Sequence, residues 1–465
     1  MTRPLRIALL AALASGTALS AAAAVYNPET FTLSNGMRVV VIPNDRAPVV
    51  SHMVWYFAGA ADEPRGKSGI AHYLEHLMFK GTAEVASGEF SRIVARNGGN
   101  ENAFTHWDYT GYFQNVAVDR LELVMKLEAD RMANLRLTDE LVKPELQVVL
   151  EERRQRIENA PGARLGEELN AVMFHNHPYG IPIIGWPQEI EGLTRADAEL
   201  FYKTWYAPNN AVLLVSGAMT AERLKPLAEA TYGRIPAREV PARDWTVQPA
   251  QASEQRLTLK DEKAQTPSLS RQWVAPSYVW GAKEHAYALQ VLAEVVGGGA
   301  TSRLHRALVL EQRLATGIGM GYGPSSRGPA TIGISGSPAP GVTVEQLEAG
   351  IQAVLDDIAK NGLTEAEIER AKTRMSIAAG YARDSLYGPA RVFGTALAIG
   401  QTVEDVEAWP DRIRAVTPAA VKAAFDAVIA GRPSTVGVLL PADGATTGQS
   451  RVPAPAIQPV QETTR

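Results

Sequence analysis

The chain has 465 residues, a formal net charge of −4 and no cysteine. The missing cysteine removes disulfides, thiolate metal sites and a cysteine nucleophile together, and the absence of a Lys/Arg run removes the usual footprint for nucleic acid. The length exceeds what one hydrophobic core serves, so two domains are expected.

Residues 1–24 read as a secretory signal peptide. Arg3 and Arg6 precede an alanine-rich apolar run that ends in small residues suited to an Ala-x-Ala cut. Ser15, Gly16, Thr17 and Ser20 interrupt the run, which falls short of a membrane span. Next, a strand pair around the Asn35-Gly36 turn is expected over 31–41 and a further strand over 49–57. Helices follow over 68–80, 89–97, 120–134 and 139–159, with a hairpin over 102–116 that turns at His106-Trp107-Asp108. A buried strand over 211–217 and a helix over 220–232 close a first domain set at 25–238. The stretch 236–252 is polar, aperiodic and interrupted by Pro236, Pro241 and Pro249, which predicts a linker over 239–252. The pattern then restarts over 253–441, with strands at 256–259, 268–273 and 330–335 and helices at 284–296, 302–312, 344–361 and 365–379. The repeated order predicts two similar α+β domains. The tail 442–465, rich in Pro, Gly, Thr and Gln, is expected to be disordered.

The informative segment is His72-Tyr-Leu-Glu75-His76. On a helix at about 100° per residue, Ile70, Leu74, Leu77 and Met78 fall on one side, and His72, Glu75 and His76 on the other. Residues four apart lie about 6 Å apart along the axis, so two imidazoles can converge on one cation at about 2.0–2.1 Å each. Glu75 projects between them, placed to hold a water rather than the metal. This H-x-x-E-H order inverts the commoner H-E-x-x-H motif. A catalytic zinc needs a third protein ligand and an open position, and without cysteine that ligand is a carboxylate from another helix. In the segment 143–153, Glu145, Val148, Val149 and Glu152 share one stripe, with Glu151 about 100° away. A carboxylate on an apolar stripe is costly unless paired or metal-bound. Glu152 is therefore the expected third ligand of one zinc per chain, and Glu145 the expected outer partner of the ligand set, or else a helix-start capping residue. His175 and His177 lie in a turn with no carboxylate pair nearby and are expected to pack structurally. Nothing is assigned to His52, His106, His285 or His305.

His72-Tyr-Leu-Glu-His76 followed by Glu152 resembles the pitrilysin/insulinase family of inverted-motif zinc peptidases, nearest the mitochondrial processing peptidase and its bacterial relatives. Phe79-Lys-Gly-Thr82, the run Gly98 to Thr105, His177-Pro-Tyr-Gly180, Tyr206 to Ala211 and Ser302-Arg-Leu304 extend the resemblance over most of the chain. It implies two homologous α+β domains, each a mostly antiparallel sheet packed with helices. It also implies zinc-dependent cleavage of extended or unfolded peptides, with Glu75 as general base, inside a chamber formed with a second subunit. With the signal peptide, the implied location is the bacterial periplasm, with no membrane anchor after processing. Asn102, Ala103 and Phe104 match the sheet edge that pairs with substrate backbone in the family.

One departure stands out. The family's active members place an Arg and a Tyr seven residues apart in the second domain, where this chain has Val309 and Thr316. Arg313 lies nearby with no suitable tyrosine. The expectation is that a homologous subunit supplies this substrate clamp, giving a hetero-oligomer. Two other readings keep the fold without the chemistry: a non-catalytic chamber subunit, and a periplasmic peptide-binding module.

Overall fold

The computed structural model describes residues 25–442. The signal peptide expected over 1–24 and the tail expected over 442–465, its first residue excepted, lie outside the described residues.

The first half builds a sheet from β1 (Glu29–Thr32), β2 (Arg38–Pro43), β3 (Val49–Tyr56), β4 (Asn100–Thr105), β5 (Thr110–Ala117) and β6 (Ala211–Gly217), in the order β1-β2-β6-β3-β5-β4. The second half uses β7 (Gln255–Asp261), β8 (Ser268–Ala275), β9 (Ala315–Tyr322), β10 (Ala330–Pro338) and β11 (Thr435–Pro441), in the order β7-β11-β8-β10-β9. The pairs β2–β6 and β11–β7 are parallel, and all other neighbours are antiparallel. With β1 set aside, the two sheets share one topology, and β4 and β9 occupy the same free-edge position. The repeated element order predicts two similar α+β domains, and the family resemblance implies that they are homologous with mostly antiparallel sheets, as the two sheets are. The central strand β6 is buried throughout, because helices cover both faces of its sheet, so it reads as an apolar run rather than an alternation.

The helices that shape the first half are α1 (Ile70–Leu77), α2 (Glu89–Arg96), α3 (Leu121–Asn134), α4 (Asp139–Arg153) and α5 (Pro161–Met173). Several boundaries differ from expectation. The helix expected over 68–80 shortens to α1. The helix expected over 139–159 is α4 followed by one wider turn, in which Asn159 N–H donates to Arg154 O at 2.9 Å. The helix expected over 302–312 is likewise widely wound over His305–Glu311. The strands β9 and β11, the helix α5 and the helices Arg195–Trp205, Gly388–Ile399 and Pro418–Val428 are among the additional elements. In β9 the sequence Ala-Thr-Gly-Ile-Gly-Met-Gly-Tyr puts glycine at three of the positions that would otherwise show alternation.

Residues 236–252 carry no helix or strand, yet they are strapped to the first half. Arg243 forms a buried ion pair with Asp62 at 2.9 Å and donates to Asp108 O at 2.7 Å. Trp245 packs against Tyr179 and His177.

Each half also covers the other's sheet. Leu165 and Leu169 of α5 bury against Ala264 and Leu439 of the second half. In return, the helix Gly388–Ile399 places Phe393 among Val40, Met53, Trp55, Val212 and Leu214 on the outer face of the first sheet. Two glycines permit the contact. A Cβ on Gly394 would come 2.3 Å from the Trp55 ring, and one on Gly437 would come 2.5 Å from Leu169.

Candidate metal centre

The helix α1 starts where the chain can supply its first N–H groups with acceptors. Glu63 accepts from Gly69 N–H at 3.0 Å and from Ala71 N–H at 2.9 Å, and Glu189 accepts from Ser68 N–H at 2.8 Å. Carboxylates at a helix N-terminus satisfy its free donors and favour its dipole. Gly69, at φ +87°, makes the entry turn against Ile184 O, where a Cβ would clash at 2.6 Å. With Ile70, Leu74 and Leu77 locked in the core, His72, Glu75 and His76 face α4 and the edge strand β4.

The ligand atoms of His72, His76 and Glu152 lie within 4.8 Å of one another, the one such group of possible metal ligands among the described residues. Glu152 Oε2 stands 3.2 Å from His76 Nε2 and 3.7 Å from His72 Nε2. His72 is only 8% exposed, and its Nδ1 has no hydrogen-bond partner. A cation between the two rings and the carboxylate would meet His72 at Nε2, the nitrogen turned towards Glu152.

The protonation states suit that role. Burial, helped by the neighbouring His76, pulls the His72 pKa down to about 4, so its imidazole is neutral at pH 7. Burial opposes charge on His76 too, but hydrogen bonds to Glu145 and Glu152 outweigh it and lift that pKa to about 9. Glu152, despite burial, is held down at about 2 by the two histidines and Arg156. The proton that His76 keeps between two carboxylates is the charge a divalent ion would displace. Two imidazoles and one carboxylate, with no sulfur, form a donor set that zinc accepts.

Around this group, His76 Nδ1 contacts Glu145 Oε1 at 2.9 Å, and Lys80 forms an ion pair with the same carboxylate. Arg156 pairs with the outer oxygen of Glu152 at 2.6 Å. Such outer partners fix the orientation of ligands. Glu75, 9% exposed, accepts a hydrogen bond from Thr105 Oγ1 at 2.6 Å, and burial lifts its pKa to about 7. A carboxylate with that affinity can both take and release a proton near neutrality.

The expected edge residues line the same cleft, a volume of about 1840 Å³. His106 N–H donates to Tyr109 O at 2.8 Å, which makes Phe104–Gly111 and Asn102–Phe113 the hydrogen-bonded pairs of the β4–β5 ladder. The main-chain groups of Ala103 and Thr105 therefore point out of the sheet edge. Asn102 Oδ1 covers one of them, accepting from Ala103 N–H at 2.8 Å.

The remaining motif residues are structural. His177 Nδ1 accepts from Tyr179 N–H at 3.2 Å inside a cluster with Phe174 and Trp245. Tyr179 donates to Asp108 Oδ1 at 2.6 Å, and Arg327 N–H of the second half donates to Asp108 Oδ2 at 3.0 Å. Arg303 of the Ser302-Arg-Leu304 segment grips Glu367 through two bonds of 2.7 and 2.9 Å. Val309 is half-buried against the second core, and Thr316 is exposed on the free edge β9. Residues outside the sequence-based expectation are Thr105, Lys80, Arg156 and Arg391. Lys80, four residues after His76, carried a helical-spacing signal; Arg391, remote in sequence, carried none.

Known proteins resemble this chain in sequence and in fold. Residues 38–186 match the family described as Insulinase (Peptidase family M16), and residues 192–375 match the Peptidase M16 inactive domain. Zinc protease PqqE of Helicobacter pylori is 31% identical over 363 residues, spanning 77% of this chain and 80% of that protein. The crystal structure of a protease from Helicobacter pylori superposes with a TM-score of 0.84 at 27% identity, covering 90% of this chain and all of that one. The first half of the periplasmic protease PqqL from Escherichia coli shares the fold, with a TM-score of 0.77 at 17% identity over 90% of this chain and 92% of that one. The chain belongs to the insulinase (M16) family of peptidases, the pitrilysin group, as the H-x-x-E-H segment led one to expect.

Proposed function

We propose that this chain is a zinc-dependent endopeptidase of the bacterial periplasm that hydrolyses extended or unfolded peptides, in a chamber completed by a homologous subunit. The observation that carries the reading is the convergence of His72, His76 and Glu152, with Glu75 beside them and hydrogen-bonded to the edge strand through Thr105. A zinc ion held by that triad would supply Lewis acidity, polarising the scissile carbonyl and acidifying the attacking water. Glu75 takes the proton of that water and returns it to the leaving amine. Ala103 and Thr105 offer main-chain groups that align the peptide as an added strand. The periplasmic assignment rests on the signal-like sequence of residues 1–24.

Val309 and Thr316 stand where the resemblance calls for an Arg and a Tyr, and neither side chain offers a guanidinium or a phenol to the substrate carbonyl. Loss of one such preplaced donor costs about 10²–10³ in rate, so a partner's second domain is assigned that task. The same two residues are what favours the rival reading of a non-catalytic chamber subunit. The test is hydrolysis of an unfolded peptide by the purified, zinc-loaded chain, alone and mixed with a homologous subunit. Turnover is expected in the mixture and little by the chain alone. Equal turnover alone removes the need for a partner, and hydrolysis in neither sample overturns the peptidase reading.

A further inference from the structure

We propose that Arg391, stacked on Phe104, forms a subsite that takes an acidic side chain of the bound peptide on the face of β4 turned away from the metal centre. The inference rests on the peptidase reading and adds a substrate preference to it.

Successive residues of a strand face opposite sides of the sheet. In β4, Thr105 reaches Glu75, and Ala103 packs against the core that contains α1. Phe104 faces the other way, edge-on to Trp55 with ring centroids 4.8 Å apart, beneath the helix Gly388–Ile399. Arg391 projects from the first turn of that helix, its guanidinium carbon 5.0 Å from the centre of the Phe104 ring. It lines the same cleft as His72, Glu75 and His76.

Arg391 differs from the other cations around the cleft. Arg156 is held by Glu152, Lys80 by Glu145 and Arg153 by Glu167. Arg391 is exposed, and among the described residues no carboxylate pairs with it. The stacking orients its guanidinium without neutralising it. The helix beneath it is anchored by Phe393 and by Gly394 set against Trp55, which fixes the point from which the Arg391 side chain projects.

A peptide added to the free edge of β4 alternates its own side chains in the same way. One set faces the metal side, where the cations Lys80 and Arg156 are already held by Glu145 and Glu152. The other set faces Phe104 and Arg391, where a planar fork of donors matches a carboxylate. An Asp or Glu on that second set is therefore favoured, and the same residue one position along is not.

The test uses the full zinc-loaded chain carrying Glu75→Gln, which binds peptide without cleaving it. Fluorescence anisotropy reads the affinity for a neutral, extended peptide and for versions with one Glu moved stepwise along it. Glu is expected to tighten binding about tenfold at alternate positions only, the scale of one charge-assisted bond. Adding Arg391→Ala is expected to flatten that pattern while leaving affinity for the neutral peptide within about twofold, since a cation–π contact at an exposed site is weak. Adding Arg391→Glu is expected to move the preference to Lys at the same positions, a reversal that a merely structural role would not produce. Binding of the neutral peptide with no position-dependent gain from Glu, or a gain that survives Arg391→Ala, overturns the subsite and leaves the peptidase reading standing. Binding of no peptide by any version overturns both.

Discussion

His76 is the most constrained side chain of the site, with Glu152 at 3.2 Å from one ring nitrogen and Glu145 at 2.9 Å from the other. Glu145 holds Nδ1 and so leaves Nε2 as the nitrogen that would face a metal ion, and it is itself held by Lys80. Changing Glu145→Gln keeps the shape and removes the charge. Zinc affinity is then expected to fall about 10–100-fold in a competitive chelator titration, the usual effect of losing such an outer partner. Unchanged affinity would show that the ring is fixed by packing alone. His76→Ala, which removes a ligand, is expected to strip the metal altogether. At this scale the site was largely legible in the sequence, because four-residue spacing on a helix is local geometry. Glu152 shares its stripe with one buried valine rather than two, since Val148 is 49% exposed and lines the cleft, and only Val149 is buried in the core. Arg391 was not legible, because its relation to Phe104 exists only once one half of the chain lies over the other.

Among the elements, long amphipathic helices and the β3–β6 core were readable from their patterns, whereas β9 and α5 were not. Glycines 317, 319 and 321 erase the alternation of β9, and α5 buries its apolar positions against the other half's sheet, a surface no local pattern announces. The Ser302-Arg-Leu304 segment is another element whose role is tertiary. Arg303 ties it to the start of the helix Glu365–Asp384, where Glu367 also receives the Thr364 N–H. The hydrogen bond from Arg303 comes first among the causes that hold the Glu367 pKa at about 2, below its ordinary 4.5. A carboxyl depressed in the folded state stabilises above its unfolded pKa, and the contribution fades as pH falls from there towards the folded value. Glu367→Gln is thus expected to lower the thermal midpoint at pH 7, with the gap from the parent chain narrowing below about pH 4.5. A gap independent of pH would mean that Arg303 acts here by packing rather than by charge.

At the scale of the whole molecule, each half covers the other's sheet through α5 and the helix Gly388–Ile399. This clasp lets the second domain shape the cleft of the first, since Arg391 enters that cleft from the far half of the chain. The repeated topology was legible as a repeated element order, but the exchange of helices that welds the halves was not, because it depends on close approaches at Gly394 and Gly437. The central claim is that this assembled cleft hydrolyses peptides, with Glu75 as the proton carrier beside a metal held by His72, His76 and Glu152. The most direct test is the turnover of an unfolded peptide by the chain with Glu75→Gln, mixed with a homologous subunit and with its zinc content measured alongside. The account predicts that zinc stays bound while kcat falls by about 10²–10⁴, the contribution of a general base. Near-normal turnover with zinc retained would contradict it.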